Sequence, residues 1–196
     1  PVYSVTYKKN KLIENSSFNL TIEGHGLMQK IFINKAPVFK AINENYKLVV
    51  GKASSVNNHC RQVIISLQDR MNMVYRVDLE VRAFNDGVAF RYLFPNQNAN
   101  GSFVLLDENT QFKFTTDPII KALPLPNFTS SHEGFYITTT LSKIKEDTLL
   151  DMPALFQFPK KIFMAITEAA LLDYAGMYLV KHNGVLRSRL SPLPAP

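Results

Sequence analysis

Residues 73–95 read MVYRVDLEVRAFNDGVAFRYLFP, and this stretch decides the fold class. Tyr75, Val77, Leu79, Val81 and Ala83 alternate with Arg76, Asp78, Glu80 and Arg82. A period of two describes a strand with one face buried and the other in water. Asn85-Asp86-Gly87 then supplies residues that tolerate positive φ, as a tight hairpin turn requires. Phe90, Tyr92 and Phe94 resume the alternation until Pro95 stops it. The stretch is an antiparallel hairpin.

Working outward, similar short runs recur: VYSVTYK, FNLTIEG, QKIFIN, YKLVVG, RQVIISL, SFVLLDE, QFKFTT, FYITTTL and KIFMAIT. Asn, Gly, Pro, Ser or Asp separate them, and turn signals at such intervals point to a β-sandwich or barrel. The segment TEAALLDYAGMYLV (167–180) has helical composition, yet Gly176 and the apolar MYLV argue for strand, turn and strand, so both readings stay open. PIIKALPLP (118–126) reads as irregular and extended, because proline fixes φ and removes a donor. The closing SPLPAP cannot continue a central strand and reads as a domain edge or a tail.

The 196 residues suffice for a core without staples, and one domain over 1–196 is the simpler expectation. The 22 basic residues and net charge of +6 are spread along the chain, with pairs such as Lys8-Lys9 and Lys160-Lys161 at apparent turns or strand ends. They form no basic, aromatic-interleaved motif of the kind that binds nucleic acid. Cys60 is the sole cysteine, so no internal disulfide forms. No apolar run approaches the roughly 18 residues of a membrane span. The opening Pro1-Val2-Tyr3 reads as strand rather than signal peptide, as in a trimmed or interior fragment. Asn15, Asn19, Asn100 and Asn127 begin sequons, a pattern that arises readily by chance in such a chain.

Candidate chemistry is sparse. His59 and Cys60 are adjacent, so in a strand they face opposite ways and form no activated thiol. His25, His59, His132 and His182 lack zinc-ligand spacing. Gly24-His25-Gly26 is a turn signal rather than a phosphate loop. Asp107 with Glu108, and Glu146 with Asp147, read as solvated turns, whereas Glu168 and Asp173 border apolar chain and call for hydrogen-bonded structural roles. The loop Ser130–Tyr136, SSHEGFY, sets His132 beside Glu133, but neighbouring side chains need not converge, and Glu133 alone reads as a solvated loop residue. The residues describe an all-β module with no internal catalytic set.

Several segments, in order, resemble the N-terminal domain of glycoside hydrolase family 97, α-glucosidases and α-galactosidases of Bacteroidetes. FNDGVAFRYLFP (84–95) is similar to the family's fNDGvaFRYefP, and ITEAALLDYAGMYL (166–179) to lhEAALvDYpgM.L. YSVTYKKNKLIENSSFNLTI (3–22) resembles the family's opening, and HEGFYITTTLSKI (132–144) the segment carrying a glutamate before a t.lSei-like strand. Members commonly show W..vwGE...irnhyNel where this chain reads YKLVVGKASSVNNHCRQVIISL, with Lys52 at the Glu position and Arg61 near the Asn position.

The resemblance implies a β-supersandwich of antiparallel sheets, galactose-mutarotase-like, with few or no helices. It implies that residues 1–196 are a non-catalytic N-terminal domain packed on a (β/α)8 catalytic barrel elsewhere in the same polypeptide, whose substrate is an α-linked oligosaccharide. It also implies an active-site calcium to which Glu133 is a ligand, no catalytic residue in this chain, and a periplasmic or secreted location. No substrate-binding residue is assigned. The alternative is a free-standing carbohydrate-binding or surface-interaction module, with Phe128, Phe135 or Tyr136 stacking on a sugar.

Overall fold

The structure, a computed structural model, describes residues 1–27, 30–71, 76–95 and 103–192. It is all-β, with two 3-10 turns, Leu141–Lys143 and Pro159–Lys161, as the helical elements among the described residues. Every pairing between named strands is antiparallel. The chain divides into two compact units, Gln29–Ser102 and the combination of Pro1–Met28 with Phe103–Pro196.

In the first of these, Arg76–Ala83 pairs with Val88–Leu93 as the alternation requires, and the Phe84 N–H donates to the Gly87 carbonyl at 2.8 Å to close the turn. The other edge of Arg76–Ala83 pairs with the long strand Ser55–Asp69. That strand in turn pairs with Val38–Lys47 along its first part and Ile31–Ile33 along its last. Val77 and Leu79 are buried. Tyr75 and the Asn100 sequon lie outside the described residues.

Two expectations for this unit are corrected. Glu80, read as part of a water-facing row, is 4% exposed. Its Oε1 lies 2.8 Å from Arg82 Nε, and its Oε2 accepts from Arg91, the residue opposite it in register, at 2.8 and 3.0 Å. Two guanidinium groups thus replace the water that the carboxylate gives up. YKLVVG is not a strand: only Tyr46 and Lys47 belong to Val38–Lys47. The pairing ends at Lys47 opposite Ser55, and Val49 and Val50 are exposed in the connection.

The second unit contains a hairpin, Val2–Tyr7 with Asn10–Ser17, that turns at Lys8 and Lys9, both at positive φ. Lys160 and Lys161 likewise turn the chain between Ala154–Phe158 and Ile162–Ile166. A three-stranded sheet orders Leu105–Glu108, Leu20–Ile22 and His25–Leu27. A five-stranded sheet runs Gln111–Phe112, Val185–Leu190, Met177–His182, Leu149–Leu150, Pro124–Leu125. A four-stranded one runs Ile137–Thr140, Ile119–Ala122, Ala154–Phe158, Ile162–Ile166. Ile120, Ala122, Leu150, Ala154, Phe156, Leu179 and Leu186 are completely buried in one cluster. Leu123, Leu125, Leu149, Tyr178 and Val180 form another.

PIIKALPLP is therefore not irregular. Ile119–Ala122 is paired on both sides, with Pro118 ahead of it, and Pro124 falls in the edge strand of its sheet, where a missing donor is tolerated. TEAALLDYAGMYLV contains no helix. Residues 167–176 form a loop, and Met177–His182 continues as strand. Among the described residues no helix is long and apolar enough to cross a membrane.

Candidate functional site

The loop that carries Glu133 begins with a folded turn. Asn127 Oδ1 accepts from the N–H and hydroxyl of Thr129 at 2.9 and 3.0 Å, and the Ser130 hydroxyl donates to the Asn127 carbonyl at 2.8 Å. Side chains that bond local backbone in this way stabilise tight turns. From Ser131 to Tyr136 every residue is exposed, Phe135 to 94%.

Exposure does not leave this segment unattached. His132 Nδ1 lies 2.9 Å from Asp151 Oδ2. Its ring stacks near-parallel on Tyr178 with centroids 6.0 Å apart, while Phe128 meets the same Tyr178 edge-on at 5.2 Å. Burial, followed by the charges of Asp151 and Glu168, raises the Tyr178 pKa. Gly134 passes so close to the core that an added Cβ would lie 2.9 Å from Leu123 Cδ1. The Asp151 N–H donates to the Leu123 carbonyl at 2.8 Å, and Asp151 Oδ1 accepts from the Met152 N–H. Between these two attachments Glu133 faces solvent with no hydrogen-bond or ion-pair partner among the described residues. A free carboxylate on a fastened loop can serve as a ligand or hydrogen-bond acceptor for something outside the described chain.

Other candidates fall into structural roles. Cys60 is buried and His59 exposed, as adjacent strand residues must be. Glu146 and Asp147 are solvated, with Asp147 bonded to His182 Nδ1 at 2.9 Å. Glu168 Oε1 accepts from the Met177 N–H at 2.7 Å, the hydrogen-bonded role expected of it, whereas Asp173, against expectation, is exposed at positive φ with no hydrogen-bond partner among the described residues.

Glu108 corrects the sequence reading. It is not in a solvated turn but in the strand Leu105–Glu108, at 5% exposure. It accepts from the hydroxyls of Thr110 and Tyr174 at 2.8 and 3.1 Å. Burial raises its pKa, the two hydroxyls partly offset the rise, and the charges of Asp107 and Glu168 add to it.

Among the described residues no three His, Cys, Asp or Glu side chains gather as a metal cluster. Two surface depressions, about 110 and 250 Å³, include no residue of 130–136. The pairing of His132 with Asp151, rather than with Glu133, escaped sequence reading because nothing local marks a residue 19 positions away as its partner.

These features define an all-β chain in which an anchored loop presents a carboxylate to solvent. The chain belongs to the Glycosyl-hydrolase 97 N-terminal family, whose model matches residues 1–196. It is 25% identical over 203 residues to a retaining alpha-galactosidase of Bacteroides thetaiotaomicron, covering 99% of this chain and 29% of that protein. Among solved structures it resembles a variant of a Glycoside Hydrolase Family 97 enzyme from Pseudoalteromonas sp. strain K8, with TM-score 0.88 and 25% identity over 98% of this chain and 29% of the other. A beta-arabinopyranosidase shares the fold at TM-score 0.82 and 19% identity, over 98% of this chain and 32% of the other. The chain thus spans under a third of the length of these relatives.

Proposed function

We propose that residues 1–196 act as the non-catalytic N-terminal domain of an α-glycoside hydrolase, packing on a (β/α)8 barrel in the same longer polypeptide and lending Glu133 to a calcium ion at its active site. The observation that carries this reading is the family match over the whole chain, joined to coverage of 29% of a retaining alpha-galactosidase. The loop geometry supports the role of Glu133. Calcium takes six to eight oxygen ligands, often from separate elements. Glu133 supplies at most two, and no second acidic group joins it in a cluster of three among the described residues. The residues therefore fit a shared ion rather than one held by this chain alone.

When bound, calcium would polarise and position the sugar and the reacting groups of the barrel. This chain's own contribution is to hold one carboxylate at the domain boundary, since Gly134 and His132 fix the loop on either side of it. By the same reading the protein acts on α-linked oligosaccharides in the periplasm or outside the cell. The test is Glu133→Gln in the longer protein, assayed with p-nitrophenyl α-glycosides over a calcium titration. We expect calcium to be required at higher concentration, and an unchanged calcium requirement would refute the role of Glu133. The exposure of Phe135 and Tyr136 favours one other reading, a sugar-stacking module, which oligosaccharide binding to the 196-residue chain would reveal.

A further inference from the structure

The His132–Asp151 contact has the form of an orienting pair. Asp151 keeps only 15% of its side chain exposed and is itself held at three points: Oδ2 faces His132 Nδ1, Oδ1 accepts from the Met152 N–H, and its own N–H donates to the Leu123 carbonyl. The imidazole rests on Tyr178, a buried ring. Two of these contacts, Asp151 Oδ2 and the Tyr178 ring, reach His132, the residue next to Glu133, and Leu123 and Tyr178 belong to one buried cluster. On the opposite flank Gly134 lies against Leu123, the residue whose carbonyl anchors Asp151. Leu123 and Asp151 therefore brace both neighbours of a carboxylate that has no partner of its own among the described residues.

We infer that His132 and Asp151 are positioning residues for Glu133: the hydrogen bond at Nδ1 sets where the carboxylate stands, and the imidazole acts through that bond rather than by touching a ligand. The inference rests on the proposed calcium role of Glu133. It places the determinant of calcium affinity partly in a residue that is not a calcium ligand, as outer partners of metal ligands commonly are.

The experiment compares His132→Ala, His132→Asn, His132→Gln, Asp151→Ala and the double alanine variant in the longer protein that carries this chain. Calcium binding is measured by calorimetry, and amide exchange of residues 131–136 by mass spectrometry. An Asn amide can donate from the place of Nδ1, and a Gln amide from that of Nε2. We expect His132→Ala and Asp151→Ala each to weaken calcium binding about tenfold and to speed exchange in the loop. The double variant should be no worse than either single one, because both remove one bond. Asn should restore affinity and Gln should not.

Restoration by Gln but not Asn would overturn the inference, since His132 would then act through Nε2. So would unchanged affinity in both alanine variants while Glu133→Gln weakens binding. If Glu133→Gln leaves calcium binding intact, the calcium reading itself fails instead. Should the alanine variants not fold, the comparison of Asn with Gln still decides.

Discussion

The Tyr174 hydroxyl donates to Glu108 Oε2 at 3.1 Å, fastening the loop 167–176 to a buried carboxyl group in the strand Leu105–Glu108. Burial makes this carboxyl bind its proton more tightly in the folded chain than in the unfolded one, where a glutamate titrates at about 4.3. The folded state therefore holds more protons across the window between the two pKa values. The stabilisation from Glu108 is full below the unfolded value and is lost as pH rises through the folded one. Glu108→Gln, which mimics the protonated form, should remove this slope. Urea unfolding of both proteins between pH 4 and 8 should show wild type losing stability relative to the variant as pH rises. A constant difference would show that Glu108 does not titrate in that window.

Tyr174→Phe removes the hydroxyl but keeps the ring. We expect a loss of about 1 kcal/mol, the usual worth of such a bond, with Glu108 still satisfied by Thr110. Because the bond reaches from residue 174 to residue 108, amide exchange should quicken mainly within 167–176. A loss spread evenly over the second unit would contradict a local fastening role.

Glu80→Ala leaves Arg82 and Arg91 without their shared carboxylate. Removing one member of a fully buried pair costs several kcal/mol. Here Arg91 is 62% and Arg82 35% exposed, so both can turn to water, and we expect about 1–3 kcal/mol in urea unfolding. Arg91→Ala should cost less than Glu80→Ala, because the carboxylate keeps Arg82; the reverse order would contradict this account.

How far the sequence discloses these features depends on whether their partners are local. The hairpin Arg76–Leu93 was legible because both strands, the alternation and the Asn-Asp-Gly turn lie in one stretch. The Lys8-Lys9 and Lys160-Lys161 turns were legible for the same reason. Glu108 and Glu80 were misread because their environments come from elsewhere: Tyr174 is 66 positions from Glu108, and Arg91 meets Glu80 only through strand pairing. The Pro-rich segment was misread because its prolines flank a central strand or fall on a sheet edge, positions that sequence alone does not distinguish. At the candidate site Glu133 stands out through the family resemblance alone, whereas Asp151 carries no signal in the sequence.

Gly134→Ala tests how tightly the Glu133 loop is seated. The added Cβ would meet Leu123 Cδ1 at 2.9 Å, and the contacted atom is the end of a side chain that can shift. We expect about 1 kcal/mol of destabilisation, and more for Gly134→Val, since overpacking grows with volume. Calcium affinity in the longer protein should fall together with stability. A fully tolerated valine would show that the loop is not held against Leu123.

The 196-residue chain on its own should hydrolyse no p-nitrophenyl α-glycoside and bind no oligosaccharide at millimolar concentration. The first expectation follows from the proposed reading, in which the reacting groups stand on a barrel outside these 196 residues. The second follows from the openness of the loop: Phe135 and Tyr136 are exposed outside both surface depressions and offer a sugar little enclosure. Calcium, too, should bind this chain weakly, because a single carboxylate cannot offset dehydration of the ion. Assay and calorimetry on one preparation settle all three points. Saturable oligosaccharide binding abolished by Phe135→Ala would replace the accessory-domain reading with that of a carbohydrate-binding module. Turnover lost on Glu133→Gln would instead place a reacting group in this chain.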